Sequence, residues 1–586
     1  MSGFEEVRQQ DKAQRTKGLE QSGTEASQQR QVAKEFSRAL RRAQKAAASG
    51  KPEVAVGWCR YAASLAWEQN PGFFYCHELE HLLAEVGRKH LRSGLVTAPR
   101  AEPLRRFLHL ISPDTAYEIG GSSRAVFRWI KICAQHAPSE HHSILVTRQR
   151  DDPIPTWLGD SARETGGAII ELPSGLTWLR AAEEIRSRSL EFDAIVLHIH
   201  PNDPLPNLAL YDQPRPILYF RHSDHLFNLG LDLARVIADV RPVGRKMSEH
   251  FCAAAPRIVM LPLPLSDEES FSCSKAEARQ KLGFAVDALV ILTVGWPHKF
   301  IPADGYDFSQ VVLSLCAANS RVQIVAVGPS ESAPFPGLKQ TTGGRFLPVG
   351  TVTDREILEL YYRATDIYLD AYPTGSGTAV LDAALHGLPV QRLYNQYRCL
   401  LWSDDPALDS IAPGASTQDE FIRTVLEWLE WPEERRSELG SRFRNAILED
   451  HCGASWKRKW LDPAIEALGK SAENNLNSEQ DYATKREPSF PGLGIAGPVS
   501  DWPAGMFVAG TILDMDDVPR SIRIHGVLHS IKPLLFNVAR DGTTRRRFLM
   551  FRNLVVSCLS MRIRTPLRKM RLAIFKKRRR QHESAG

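Results

Sequence analysis

Two hydrophobic periods divide the chain. Between Val32 and His90 apolar residues recur at helical spacing, as Ala55, Trp58, Cys59, Ala62, Ala63, Leu65 and Ala66 do, which predicts amphipathic helices. Gly50-Lys51-Pro52 and Asn70-Pro71-Gly72 mark the turns that separate them. No further copy follows at a fixed period, so the segment reads as a helical cap rather than a repeat array. From Arg106 onward short apolar runs alternate with longer amphipathic stretches. Residues 107–111, 143–147, 168–172, 194–199 and 217–220 read as buried strands, with helices such as 123–134 and 176–189 between them. That is the sequence form of a parallel sheet flanked by helices.

Leu261-Pro262-Leu263-Pro264-Leu265 closes the first series as a proline-spaced connector. A second series follows, with strands at 288–294, 322–327, 345–349 and 367–369 and helices around 307–318, 354–362 and 377–386. Helices at 418–429 and 434–448 come next, and 456–468 is expected to cross back and brace the first domain. The fold class expected is α/β: two Rossmann-like doubly wound domains, residues 101–265 and 266–468, behind a helical segment at 31–100. A flexible leader (1–30), a polar linker (469–500) and a basic C-terminal tail (501–586) complete the division. Two such domains place a cleft between their strand C-termini, where ligands of open α/β sheets bind.

Composition narrows the class. With 43% hydrophobic and 24% charged residues, a collagen, a mainly disordered chain and a polytopic membrane protein are excluded. No run reaches the ~20 apolar residues of a membrane span, and the polar N-terminus lacks the apolar core of a signal peptide. The nine cysteines include no C-x-x-C pair, so neither a zinc knuckle nor a disulfide framework is suggested, and a reducing, cytoplasmic location is expected.

The net charge of +6 conceals an asymmetry, because fifteen Lys or Arg face two acids between Arg540 and Gly586. The tail is strongly basic and the body mildly acidic. Apolar residues such as Phe548, Leu549 and Phe551 interleave with that charge, so peripheral contact with an anionic membrane is expected of it. RNA contact and a solvated end are the rival readings of the tail. No specific nucleic acid is expected as a partner, since a binder would spread its basic surface over a folded domain.

The segment richest in chemistry runs from Asp370 to Val390 and contains Tyr372-Pro373-Thr374-Gly375-Ser376-Gly377-Thr378, then Asp382 and Gly387-Leu388-Pro389-Val390. It leaves a strand, passes a small-residue loop and enters a helix. Gly375 and Gly377 let backbone approach a bulky ligand, and the N–H groups of Gly377, Thr378 and Ala379 would face a phosphate at the helix N-terminus. Asp382 stands one turn beyond Thr378, where a carboxylate can accept both cis hydroxyls of a ribose. An ordinary strand-to-helix turn with a surface Asp is the plainer reading of the same spacing.

This segment resembles the sugar-nucleotide loop of the two-domain GT-B glycosyltransferases, and is most similar to the O-linked N-acetylglucosamine transferase branch and to family 4-like enzymes. The resemblance implies that Gly377 and Thr378 hold a diphosphate and that Asp382 binds ribose. Broader retaining families carry Glu where Asp382 stands, so no stereochemical outcome is implied. Thr293-Val294-Gly295-Trp296-Pro297-His298-Lys299 matches a second element of the family. There Lys299 fits a diphosphate-neutralising lysine, whereas Trp296 stands where arginine is usual. His298 cannot copy arginine's fork, and Arg345 or another residue would have to compensate. Val325–Val327 with Gly328-Pro329, and 346–352, resemble strands beside the base. Gly120-Gly121, after the first strand, resembles the glycine pair that admits the donor, and the absence of G-x-G-x-x-G counts against an NAD enzyme.

Histidines gather at two strand ends: His198 and His200, then His222 and His225 beside Asp224. His-x-His and His-x-x-His spacing can bind zinc. The resemblance implies no metal instead, with His222 first and His200 second as the groups touching sugar or acting as base near neutral pH. Histidines that only cap strand ends are the bland alternative. Ser403-Asp404-Asp405 and Asp514-Met515-Asp516-Asp517 mimic a metal-binding Asp-x-Asp but lack its strand context.

The resemblance implies a glycosyltransferase, hexosyl or N-acetylhexosaminyl, moving sugar from a UDP- or GDP-linked donor to a hydroxyl on a glycan, lipid-linked or protein acceptor. Cell-surface glycan or polysaccharide synthesis is the expected setting, and the nucleotide sugar is a co-substrate rather than a cofactor. His222, His200 and Lys299 are the catalytic candidates; Gly120, Gly121, Lys299, Gly375, Gly377, Thr378 and Asp382 are the donor-binding ones. A nucleotide-sugar epimerase shares the cleft but needs no acceptor. A non-catalytic scaffold that recruits partners or membrane is kept open by Trp296.

Overall fold

The computed structural model describes residues 29–92, 103–113, 121–148, 154–251, 257–266, 273–302, 305–332, 334–394 and 403–470. Gly120, nearly all of the leader and linker, the basic tail and Asp514-Met515-Asp516-Asp517 lie outside the described residues.

The chain divides into two compact units. One holds a helix at 29–48 and the helix Pro52–Gln69. Pro52 opens the second helix, where a missing N–H leaves no bond unmade. Arg42 of the first helix lies 4.8 Å over the Trp58 ring of the second.

The other unit contains two wholly parallel sheets. Strands β1 (Arg106–Ile111), β2 (His141–Val146), β3 (Ile169–Glu171), β4 (Ala194–His198), β5 (Ile217–Arg221), β6 (Val236–Asp239) and β7 (Arg257–Met260) lie in the order β3-β2-β1-β4-β5-β6-β7. Strands β8 (Leu289–Val294), β9 (Val322–Val327), β10 (Phe346–Gly350), β11 (Ile367–Leu369) and β12 (Val390–Gln391) lie in the order β10-β9-β8-β11-β12. Strand order reverses beside β1 and again beside β8, the doubly wound pattern. β4 and β5 are buried at every position, as strands covered by helices on both faces must be. The strands expected at 194–199, 322–327 and 367–369 appear as β4, β9 and β11. β6, β7 and β12 were not anticipated. The first two are four residues long and β12 two, too short to carry a periodic signal.

The helix His77–His90 belongs to this second unit and is anchored by one acid. Glu80, almost fully buried, accepts N–H bonds from Gly230 (2.9 Å), Leu231 (3.2 Å) and Asp232 (2.9 Å) and one from Asn207 Nδ2 (2.7 Å).

The chain crosses back after the second sheet. Trp456, Leu461, Ala464 and Leu468 pack into the first-sheet core with Phe107, Trp129 and Phe220. The connector between the sheets is pinned by the same return: Trp456 Nε1 donates to Pro262 O (2.7 Å), His451 Nδ1 to Leu263 O (2.7 Å), and Leu265 N to His451 O (2.8 Å). His451 also pairs with Asp405 at 3.1 Å. Burial works against its charge, yet Asp405 prevails and raises its pKa. Among the described residues no helix is long and apolar enough to cross a membrane.

Candidate active site

The loop after β11 is built around Asp370, whose Oδ1 accepts N–H bonds from Ala371 (2.8 Å) and Ser376 (2.9 Å). Ser376 Oγ then accepts from Val380 N (3.1 Å), capping the helix Thr378–Leu385. Gly377 turns the chain into that helix at φ 69°, a conformation that a side chain rarely adopts. Its N–H, expected to face a phosphate, is instead donated to Ser403 Oγ at 3.3 Å. The N–H groups of Thr378 and Ala379 have no partner among the described residues. Two donors at the positive end of a helix dipole are therefore free for an anion.

Lys299 stands in the turn Pro297–Phe300 that follows β8. Its Nζ donates to Gly375 O at 2.5 Å, and its carbonyl accepts from Thr374 N at 3.3 Å. Gly375 thus contributes a carbonyl that holds the lysine. Burial pushes the Lys299 pKa down to about 8, against the attraction of Asp370 and with the help of Arg241.

The first domain meets this loop directly. Gly121 opens the helix Gly121–His136, and a Cβ on it would lie 2.7 Å from Thr378 Oγ1. Two helix N-termini, one from each sheet, abut there. Along the same helix Arg124 and Arg128 are four residues apart and share a face. Arg128 Nη2 donates to Asp382 Oδ1 at 2.8 Å, so the carboxylate expected to stand ready for a ribose is paired across the cleft. Arg355, at the start of the helix Arg355–Ala364, has its pKa lowered to about 10 by burial and then by Arg124 and Arg128. Three guanidinium groups and Lys299 thus gather around the helix N-termini, with Asp382 among them.

These arginines answer the question posed by Trp296. That residue is 52% exposed, and Arg345 does not replace the missing cation. Arg345 precedes β10, at the edge away from the cleft, and donates to Cys316 O (2.6 Å), Asn319 O (3.1 Å) and Thr342 O (3.2 Å). Arg128 and Arg355 escaped the sequence reading. The i, i+4 pair Arg124/Arg128 after a Gly-Gly loop was a visible signal, whereas nothing local marks Arg355.

The histidines separate into distinct roles. His222, just beyond β5, shares a hydrogen bond with His198 (3.0 Å), and burial lowers its pKa to about 4. His200 instead has its Nδ1 2.7 Å from Asn202 Oδ1, while its backbone N–H donates to Ser112 Oγ (2.9 Å). His225 faces Asp224, 3.2 Å away. Burial lowers its pKa against the pull of Asp224, and Arg241 and Lys299 add to the lowering. Lys299 of the second sheet therefore stands close to this first-sheet corner. Among the described residues the one group of three candidate metal ligands is Cys133, Glu140 and His142, which includes none of these four histidines.

Asp404 and Asp405 have other partners than a metal. Asp404 accepts from Val243 N (2.7 Å) and from Arg241 (3.4 Å), bridging the two domains. Arg241 also forms a two-pronged pair with Asp224, both bonds 2.6 Å, which outweighs burial and holds that acid well below the usual carboxylate range. Asp405 caps the helix Pro406–Ile411 through Ala407 N (3.0 Å) and Leu408 N (3.3 Å).

No family model matches the chain. A D-inositol 3-phosphate glycosyltransferase of Geodermatophilus obscurus is 25% identical over 300 residues, 47% of this chain and 60% of the relative. The chain thus spans about 60% of the length of the curated relative that it matches. An O-GlcNAc transferase mutant from Thermobaculum terrenum aligns over 75% of this chain and 85% of its own, at 16% identity and a TM-score of 0.45. HepE from Anabaena, solved with UDP-glucose, aligns over 62% and 99%, at 14% identity and a TM-score of 0.47. In the motif after β11, in its two parallel-sheet domains and in this curated relative, the chain is similar to the GT-B glycosyltransferases.

Proposed function

We propose that this chain is a glycosyltransferase that moves a sugar from a nucleotide diphosphate sugar to a hydroxyl acceptor. The observation that carries the reading is the junction of the Gly121 and Thr378 helix ends, ringed by Arg124, Arg128, Arg355 and Lys299. Positive charge concentrated at two free backbone donors suits a diphosphate whose negative charge grows as the glycosidic bond breaks. Donors already in place around such a leaving group usually contribute more to the rate than any other single effect. Lys299 and the Thr378 N–H would take the distal phosphate charge. Asp382, on release from Arg128, would take the ribose hydroxyls, and Arg128 would turn to the phosphates.

His222 would receive the acceptor's proton. A UDP- or GDP-linked hexose or N-acetylhexosamine is the donor class, and a glycan or lipid-linked hydroxyl the acceptor class, in the synthesis of a surface glycan or polysaccharide. The whole reaction needs no resident cofactor. Closure of the cleft would exclude the water that otherwise hydrolyses the donor.

The test is nucleotide release from a panel of UDP-, GDP- and dTDP-sugars, each alone and with a membrane extract as acceptor source. Release that requires both Lys299 and Asp382, lost in Lys299→Ala and in Asp382→Ala, supports the transferase. An epimerised sugar without a new glycoside, or no binding of any nucleotide sugar, overturns it.

A further inference from the structure

Four imidazoles stand in one hydrogen-bonded file across the first sheet. His222 Nε2 lies 3.0 Å from His198 Nδ1, His198 Nε2 3.0 Å from His109 Nδ1, and His109 Nε2 2.9 Å from His142 Nδ1. His142 Nε2 then lies 3.3 Å from Glu140 Oε2. The file crosses adjacent strands, from the end of β5 through β4 and β1 to the start of β2. It descends from the cleft edge of the sheet to the opposite edge. His109, His198 and His142 are buried, and aromatic rings pack around them: Trp129 5.5 Å from His109, Phe220 5.4 Å from His198, Phe107 5.0 Å from His142.

Burial disfavours an imidazolium at each position and lowers all four pKa values. A neutral imidazole has one donor and one acceptor, so a file of four can run in only two senses. The Glu140 end decides between them. Burial alone would raise the Glu140 pKa, but the His142 bond and Lys457, 3.1 Å away, outweigh it and keep the carboxyl ionised. An ionised carboxylate only accepts, so His142 donates from Nε2. Its Nδ1 then accepts from His109 Nε2–H, His109 Nδ1 accepts from His198, and His198 Nδ1 accepts from His222 Nε2–H. His222 Nδ1, which has no partner among the described residues, is left as a bare lone pair.

We propose that His222, His198, His109 and His142 form a directional proton wire, oriented by Glu140, that makes His222 Nδ1 the base of the cleft and carries its proton inward. Its catalytic use rests on the transferase reading, whereas its orientation does not. In the reaction the acceptor O–H bond breaks and its hydrogen joins His222 Nδ1. His222 Nε2–H passes to His198 Nδ1, His198 Nε2–H to His109 Nδ1, and His109 Nε2–H to His142 Nδ1. His142 Nε2–H passes to Glu140, while the electron pair left on the acceptor oxygen attacks the anomeric carbon and the diphosphate leaves with the bonding pair. No imidazolium is stored inside the sheet. Packed rings cannot turn over, so the wire resets by the reverse hops, returning the proton through His222 Nδ1 to water that refills the cleft.

Cys133, Glu140 and His142 have ligand atoms within 4.8 Å of one another. Lys457 already neutralises that carboxylate, and His142 Nε2 needs its hydrogen to reach it, so the group reads as the end of the wire. The other ionisable side chains there are Asp462, 2.5 Å from Lys457, and His141.

The test is nitrogen-15 NMR of the full chain labelled at histidine, with His222→Asn for assignment. The expected wild-type form of His222 is Nε2–H. In Glu140→Gln the amide oxygen stays on Lys457 and its NH2 turns to His142, so the file reverses and His222 becomes Nδ1–H. An Nδ1–H His222 in the wild type, or a His222 unmoved by Glu140→Gln in protein with an unchanged melting profile, overturns the orientation. With donor and acceptor supplied, Glu140→Gln is expected to lose about a hundredfold in kcat with the donor KM unchanged, and wild-type kcat with a reversed file overturns the catalytic use. Absence of turnover in the wild type with every donor counts against the transferase reading alone, since the NMR result is obtained without substrate.

Discussion

Gly121 and Thr378 touch across the cleft so closely that a methyl group on the glycine would lie 2.7 Å from Thr378 Oγ1. The hydroxyl sits on a β-branched carbon with few allowed χ1 rotamers, so it has less freedom to yield than the end of a long side chain. Gly121→Ala is therefore expected to push the two helix ends apart. Misplacement of a positioned group by about 1 Å costs on the order of a hundredfold in rate, and a loss of that order in nucleotide release is expected. Thr378→Ala removes the obstacle and leaves Thr378 Cβ, 3.7 Å from the new methyl, in ordinary contact. The double variant should thus outperform the product of the two single losses. Additive losses in that cycle would show that the contact does not position the site.

Much of the frame was legible because parallel strands covered on both faces read as continuous apolar runs, as in β4, β8 and β9. The motif after β11 announced itself through Gly377, whose backbone demands glycine, and through the spacing of Thr378 and Asp382. Partnership was not legible. That Asp382 binds Arg128, 254 positions earlier in the chain, is set by how two sheets meet. The same holds for Gly377 N–H on Ser403, for Arg345 on carbonyls at the far edge, and for the Asp404 clasp on Arg241. The histidine file joins four strands, and only His222 and its neighbour His198 lay in a cluster visible along the sequence.

Lys299 makes donor binding sensitive to alkali. Its pKa of about 8 in the free cleft reflects burial, and a bound diphosphate would raise it again. The protonated form is then the one that binds, so affinity for a nucleoside diphosphate should hold below pH 8. It should fall up to about tenfold per unit above that point, until the pKa of the bound state is reached. Lys299→Arg should push the fall to higher pH, because a guanidinium stays charged. Calorimetric titration across pH 7 to 10 measures this, and equal pH profiles for wild type and Lys299→Arg would sink the assignment.

Asp382 can serve a ribose only by leaving Arg128. Removal of the carboxylate should therefore do two things at once: lose the ribose contact and free a guanidinium for the phosphates. Asp382→Ala is expected to bind UDP and dUDP alike, whereas the wild type prefers UDP by about tenfold, a modest value for one buried hydroxyl contact. Arg128→Ala should weaken both nucleotides equally and keep the preference. Competition binding with the two nucleotides decides it, and a preference that survives Asp382→Ala would place the ribose elsewhere.

The clasp formed by Asp404 should make the domain closure favour mild acid. Burial raises the Asp404 pKa to about 7 despite Arg241 and the Val243 N–H, with Asp224 adding its repulsion. In the unfolded chain the group titrates near its ordinary value of about 3.9. Between these values the folded protein holds a proton that the unfolded chain has released, so stability falls as pH rises through the window. Below it the contribution is complete, and above pH 7 it is gone. The slope is at most about 1.4 kcal/mol per pH unit. Asp404→Asn keeps an acceptor for Val243 and cannot titrate. The melting-temperature difference, wild type minus Asp404→Asn, should be more positive at pH 5 than at pH 8. Since His451 and the other groups titrate in both proteins, the difference isolates Asp404, and one that stays flat across that range would mean its carboxylate is solvated and the clasp open.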